Sequence, residues 1–376
     1  MKKMYLIIGV IILIAIVIAL SLLKNNNVTT ITTVSKIYQS GDLFTERDLE
    51  QNVDISKAIK YTVSDGENIN ITSAGTYVIS GTAKNVTICI EAEDEDKVQI
   101  VLENLSITNE GMPAIYVKTA DKVFITSSES NTLKVTGIFE QNDSNNVNAV
   151  IFSKQDITFN GTGTLNIESS VNGITGKDDI KITGGTYNIE AEVVAIRAND
   201  SIRVAGGNLN INAGTDGLHA ENGSDDSKGY VFINNATITI KAIDDCIHAT
   251  SVVQIDGGTL NLNGAEGIEA TYIQINEGTI KISAKDDGIN AGSKSESYKV
   301  TIEITGGDIT IVMANGDTDG IDSNGDLIIS GGTINVTGSS TFDYDGVATF
   351  TGGTIIVNGT KVDTIPNSAI GKDLRK

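Results

Sequence analysis

The sequence predicts an all-β protein wound as a single-stranded parallel β-helix, and three observations carry that prediction. One short pattern recurs nine times: a small residue, a spacer, then two apolar residues flanking a polar one. The copies are Gly163-Thr-Leu-Asn-Ile167, Gly185-Thr-Tyr-Asn-Ile189, Gly207-Asn-Leu-Asn-Ile211, Ala236-Thr-Ile-Thr-Ile240, Gly258-Thr-Leu-Asn-Leu262, Gly278-Thr-Ile-Lys-Ile282, Gly307-Asp-Ile-Thr-Ile311, Gly332-Thr-Ile-Asn-Val336 and Gly353-Thr-Ile-Ile-Val357. Their spacings of 22, 22, 29, 22, 20, 29, 25 and 21 residues mark a solenoid with insertions. With 39 Gly, 2 Pro and no Trp, and rich in Thr, Asn, Ile and Val, the chain favours short strands and tight turns over helices. Finally, an acidic motif recurs in register with the first pattern.

Taken in order, the chain opens with Lys2 and Lys3 before an apolar run from Met4 to Leu23. That run is long enough to cross a bilayer as a helix, and it lacks a clear cleavage site. Residues 1–24 therefore read as an uncleaved membrane anchor with the lysines inside and the remainder on the outer face of the cell membrane, or secreted if the segment is cleaved. Residues 25–60 read as a polar spacer, with a short helix near residues 45–51. Residues 61–366 form the β-helix and 367–376 a tail. Less regular copies at Glu103-Asn-Leu-Ser-Ile107 and Asn131-Thr-Leu-Lys-Val135 bring the expectation to about eleven coils of ~21 residues.

Each coil reads as three short strands: Ile180-Lys-Ile182, a Gly184-Gly185 corner, Tyr187-Asn-Ile189, a second corner, then Ala195-Ile-Arg-Ala198. Strands this short bury a core only by stacking on like residues from neighbouring coils. One ladder should comprise Leu209, Ile238, Leu260, Ile280, Ile309 and Ile334, with Ile211, Ile240, Leu262, Ile282, Ile311 and Val336 beside it. A β-sandwich would not repeat one unit so faithfully.

The acidic motif reads Thr215-Asp-Gly-Leu-His-Ala220, Asp244-Asp-Cys-Ile-His-Ala249, Ala265-Glu-Gly-Ile-Glu-Ala270, Asp286-Asp-Gly-Ile-Asn-Ala291, Thr318-Asp-Gly-Ile-Asp-Ser323 and Tyr344-Asp-Gly-Val-Ala-Thr349. Stacking places Asp216, Asp245, Glu266, Asp287, Asp319 and Asp345 in one column, with Asp244, Asp286, Asp317 and Asp343 beside it. If these residues only made turns, with Gly supplying positive φ, Asn and Asp would interchange; all six are acidic instead. Two carboxylates ~5 Å apart repel by roughly 3 kcal/mol at an effective dielectric of 20, so the column calls for cations. An all-oxygen set selects Ca²⁺. The predicted ligands are Asp216, Asp244, Asp245, Glu266, Asp286, Asp287, Asp317, Asp319, Asp322 and Asp345.

Three residues beyond each acid lies an outward position: Arg197, His219, His248, Glu269, Asn290 and Asp322. His219, His248, Glu269 and Asn290, with Tyr272 and Lys285, are the expected ligand contacts. The insertions at 221–229 and 292–299 follow the acidic motif on one edge and should wall a groove, with Tyr230, Tyr272, Tyr298 and Tyr344 available to sugar rings. Cys89 and Cys246 are too few for a disulfide framework and read as packed thiols.

The stretches Asp96-Lys-Val-Gln-Ile-Val-Leu102, Ala114-Ile-Tyr-Val-Lys118, Ala120-Asp-Lys-Val-Phe-Ile-Thr126 and Asn131-Thr-Leu133, taken with the Asp-Gly-Ile repeats, resemble a clostridial carbohydrate-binding β-helix family. Its members resemble pectate lyases in fold and bind cellulose and acidic sugars. The resemblance covers about residues 61–365, and Cys246 departs from it where Gly is usual. It implies a right-handed coil with calcium on its surface acids.

The net charge of −21 becomes −24 without Lys2, Lys3 and Lys24. That charge excludes nucleic acid and anionic lipid as electrostatic partners. The leading expectation is a monomeric, non-enzymatic, calcium-dependent binder of acidic or cellulosic polysaccharide. A calcium-dependent polysaccharide lyase is the alternative, with Lys285, Lys241 or Arg197 as base. A calcium-stiffened structural rod is the third reading.

Overall fold

The computed structural model describes residues 35–140, 146–316 and 318–367. The anchor expected over residues 1–24 lies outside them. Among the described residues no helix is long and apolar enough to cross a membrane. The chain divides into a first unit, Met1–Ser35, and a second that begins at Lys36. All strands among the described residues belong to the second unit.

Period-two alternation produces the predicted strands. One turn of the chain runs through Asp179–Ile182, Thr186–Ala191 and Ile196–Ala198, and Ser201–Val204 begins the next. Each strand pairs in parallel with its equivalent one coil later: Asp179 with Ser201, Thr186 with Asn208, Ile196 with Leu218. The first two strands of each coil join a 22-stranded sheet, and the third strands form a second sheet of 12 parallel members. At one third strand per coil, the described residues make twelve turns, against about eleven expected. The Gly-Gly corner between first and second strands needs a left-handed residue, and Gly185 (φ 86°) and Gly207 (φ 92°) supply it.

Both apolar ladders form in the predicted register, from Leu209–Ile238 through Ile309–Ile334 and from Ile211–Ile240 through Ile311–Val336. All these side chains are buried between the two sheets. Each contributes about 1.5–3 kcal/mol, so the interior column holds the coils together. The final strand, Thr360–Val362, turns back antiparallel on Thr354–Val357. It thereby covers a sheet edge that would otherwise invite further pairing.

Residues 36–51, expected within the spacer, are instead a strap docked along the outer face of the larger sheet. Lys36 pairs with Asp256 at 3.0 Å. Gln254 receives the Tyr38 amide at 2.7 Å and donates back to the Tyr38 carbonyl at 2.9 Å. Leu43 and Phe44 are buried with Tyr230, Phe232 and Val252. The helix falls at Ser40–Leu43 rather than at 45–51, because Asp48 turns back to accept the Thr45 amide at 2.9 Å. Asp48 is fully buried, ion-paired to Lys122 at 2.6 Å and Lys181 at 3.2 Å, and accepts from the Thr158 hydroxyl at 2.8 Å. Burial alone would raise the Asp48 carboxyl, but the hydrogen bonds and the two ammonium groups hold it well below the usual carboxylate range.

Candidate functional site

The third strands build the site. In Asp287–Ala291, Ile289 and Ala291 point into the core while Asn290 faces outward. The glycine after each acid is required by close packing. A Cβ on Gly288 would lie 2.3 Å from the Gly320 carbonyl oxygen, and one on Gly267 would lie 2.4 Å from that of Gly288. Neither residue has positive φ, so the turn explanation for Asp-Gly does not hold. Cys246 occupies this position on its coil, fully buried, with Gly264 beside its sulfur. Both cysteines are free thiols.

The outward column forms as predicted from Arg197 through His219, His248, Glu269 and Asn290 to Asp322, as successive register partners. Asp343, expected beside the acidic column, instead extends this outward column as the partner of Asp322. The first acidic column also forms, with Asp245 beside Glu266 and Asp287 beside Asp319. It ends there, however: the partner of Asp319 is Ser340, whose hydroxyl donates to the Asp319 carboxylate. Asp345 is displaced to the exposed corner following Tyr344, where its amide donates to the Ser323 carbonyl. The reason is packing, because Phe342 fills the core position below Ile321 at 0 % exposure while Val347 is 65 % exposed. Asp244, Asp286 and Lys285 are exposed at corners preceding the third strands, and Asp317 lies outside the described residues.

In three of the coils the side chain at the acid position hydrogen-bonds the one three residues on, and the residue types at those two positions change along the stack. The pair is a neutral amide and hydroxyl at Asn172–Thr175, 3.3 Å. It becomes acid–base at Asp216–His219 and Asp245–His248, each 2.8 Å. The two imidazoles stack with centroids 4.5 Å apart and planes 5° from parallel. In the next coils the pairs are Glu266–Glu269, Asp287–Asn290 and Asp319–Asp322, and no histidine follows.

Electrostatics record that change. Burial opposes a charge on His248, yet its carboxylate partners Asp245 and Glu269 outweigh it and raise its pKa to about 9. Hydrogen bonds from His248 and Lys294 bring Glu269 down despite its burial. Asp245 nevertheless rises to about 6, because its burial and the charge of Glu269 outweigh His248, and the acids lower in the stack rise as well. Burial, then the charges of Glu269 and Asp245, push Glu266 up to about 8. Burial raises Asp287 to about 6. Asp322 rises to about 7 through burial and the charges of Asp287, Asp343, Asp319 and Asp345. No ion pair within 4.0 Å neutralises Glu266, Asp287, Asp319 or Asp322 among the described residues.

The acceptor set of this lower cluster suits a hard cation. Asn290 donates its amide to Glu266 at 3.1 Å. Its buried Oδ1 finds no hydrogen-bond partner, and flipping the amide would only point that oxygen at the Glu266 carboxylate. An orphaned carbonyl oxygen among crowded carboxylates fits Ca²⁺, which takes six to eight oxygen ligands.

The insertions do border the column. The Ser295 hydroxyl donates to the Asp226 carbonyl at 2.7 Å, joining the two insertions. Glu221 reaches Arg197 and the His219 Nε2, and Lys294 reaches Glu269 at 2.8 Å. Glu221, Lys294 and Ser340 escaped the sequence reading because nothing in their local spacing announces them. The tyrosines depart from expectation. Tyr230, Tyr272 and Tyr298 pack with the strap around Tyr38, on the other sheet, and the Tyr272 hydroxyl donates to Glu303 at 2.8 Å. Tyr344 packs against the main core.

A family model described as "Carbohydrate-binding domain-containing protein" matches residues 65–318 and 263–367. The chain belongs to this carbohydrate-binding family. A relative with that description from Acetivibrio thermocellus is 36% identical over 128 residues, which cover 33% of this chain and 44% of the relative. The match thus spans less than half of that relative's length. A solved structure described as a polysaccharide lyase-like protein from C. thermocellum, in a gadolinium derivative, is similar with a TM-score of 0.36 and 24% identity, covering 79% of this chain and 99% of that one.

Proposed function

We propose that this member of the carbohydrate-binding family is a calcium-dependent, non-enzymatic receptor for polysaccharide, acidic or cellulosic in type. The observation that carries the calcium reading is the orphaned Asn290 Oδ1 among Glu266, Asp287, Asp319 and Asp322. Neighbouring pairs of these side chains, Asp287 beside Asp319 and Asn290 beside Asp322, would hold the ion, which would supply local positive charge toward an acidic sugar. The chain's own contribution is to space oxygen donors along a rigid sheet, coil by coil. Asp216 and Asp245, expected as calcium ligands, are paired with histidine instead. This narrows the calcium reading to the coils from Glu266 onward. Right-handed coiling follows the general rule for parallel crossovers, and residues 1–24 would tether the protein to the cell surface.

The test is retention of the protein on immobilised polygalacturonate with and without chelator. Retention in calcium and loss in chelator are expected; equal retention in both would refute the calcium requirement. A glycan array run in calcium separates the other readings. Calcium-raised thermal stability with no retained glycan points to a rod, and unsaturated sugar product to a lyase.

A further inference from the structure

We propose that His248, Asp245 and Glu269 form a site for a borderline transition-metal cation such as Zn²⁺ or Mn²⁺, distinct from the all-oxygen cluster on the following coils. His248 Nδ1 lies 2.8 Å from Asp245 Oδ2 and 2.8 Å from Glu269 Oε2. A ring nitrogen carries at most one hydrogen, directed in the ring plane toward one acceptor. The two equally short contacts therefore share one proton, which a cation bound at Nδ1 would displace.

The neighbouring coil provides the contrast. His219 Nδ1 faces Asp216 alone at 2.8 Å, and its Nε2 faces Glu221 at 3.2 Å. One acceptor per nitrogen is ordinary hydrogen bonding, so His219 acts as a buttress that stacks on His248 and fixes its ring. At His248, three ligand atoms lie within 4.8 Å of one another. Ligands held at about 2.0–2.2 Å around a tetrahedral ion lie ~3.3–3.6 Å apart, so the two 2.8 Å contacts would open by about half an ångström to admit the metal. One imidazole nitrogen with two carboxylate oxygens suits zinc or manganese better than calcium.

The fold also preorganises the donors. Asp245 and His248 share one strand, and Glu269 is the register partner of His248 on the next. Lys294 binds Glu269 Oε1 at 2.8 Å and leaves Oε2 directed at the site. The Lys294 ammonium also competes with a metal for the Glu269 carboxylate, and replacing it frees that carboxylate while all three ligand side chains stay in the chain.

The experiment is calorimetric titration of the purified full chain, held in excess Ca²⁺, with ZnCl₂ and separately MnCl₂. One equivalent is expected to bind. His248→Gln and Glu269→Gln should each weaken that binding by more than about 10-fold, the loss that even an outer-shell partner of a metal can cause. His219→Gln removes the stacked buttress but no ligand, so one equivalent should still bind, with a smaller loss of affinity than in His248→Gln. Lys294→Met lies in an exposed insertion and should tighten binding, which keeps the test valid if a ligand variant fails to fold. No binding of either metal, binding that survives His248→Gln, or binding indifferent to Lys294→Met would overturn the site. Calcium titration of His248→Gln separates the two metal readings, because the lower cluster lacks this residue and should bind calcium unchanged.

Discussion

At the residue scale, one pair of positions decides the chemistry of each coil. An acid followed three residues later by histidine has a hydrogen-bond partner within its own coil, and an acid followed by another acid does not. Asp322 is the clearest case, raised by burial and by four neighbouring carboxylates. Asp322→Asn should therefore act with opposite sign in two conditions. Without calcium it relieves repulsion and should raise the melting temperature; with calcium it removes a ligand and should lower it relative to the parent. A variant that shifts the same way in both, measured by thermal unfolding, would separate Asp322 from the metal. The glycines are equally specific. Gly288→Ala places a methyl group against the Gly320 carbonyl and the Ile311 side chain. It should destabilise by about 1–3 kcal/mol in denaturant unfolding, as overpacking does.

At the element scale, the strap over residues 36–51 is the main departure from a uniform solenoid. It presents one buried carboxylate to two lysines from different coils, fixing those coils to one another as well as to itself. Asp48→Asn leaves Lys122 and Lys181 buried without their partner and should cost about 3–5 kcal/mol. The pH dependence follows from the depressed carboxyl of Asp48. Its stabilisation is fully present above the unfolded-state value of about 3.9 and is lost as pH falls below it toward the folded-state value. The parent and Asp48→Asn should thus differ fully in urea midpoint at pH 7 and converge only in strong acid. Equal midpoints at neutral pH would show that the ion triad contributes nothing. The strands were legible because alternation at period two and the 22-residue register are local signals. The strap was not, since Asp48 meets Lys181 across 133 residues and no periodicity links them.

At the scale of the whole molecule, the solenoid sorts its side chains by face. Aliphatic residues fill the interior, the strap with its aromatic residues covers part of the larger sheet, and the smaller sheet carries the polar columns. A net charge of −21 opposes the approach of an acidic polysaccharide, and under the proposed function bound cations would reverse the sign locally. In chelator, lowering the salt lengthens the screening distance and strengthens that repulsion. Retention on polygalacturonate should therefore not recover at low ionic strength, and a recovery would point to a contact surface independent of calcium.

The sequence by itself determined the solenoid, its strands, both apolar ladders and most of the acidic register, because each depends on one repeat unit copied at nearly constant spacing. Tertiary structure alone decided which acids are already matched by histidine or lysine, that Phe342 rather than Val347 fills the last core position and displaces Asp345, and that the tyrosines lie beneath the strap or against the core. Those outcomes rest on competition among distant groups for one buried volume or one counter-charge, and a repeat pattern records where side chains stack but not which partner prevails.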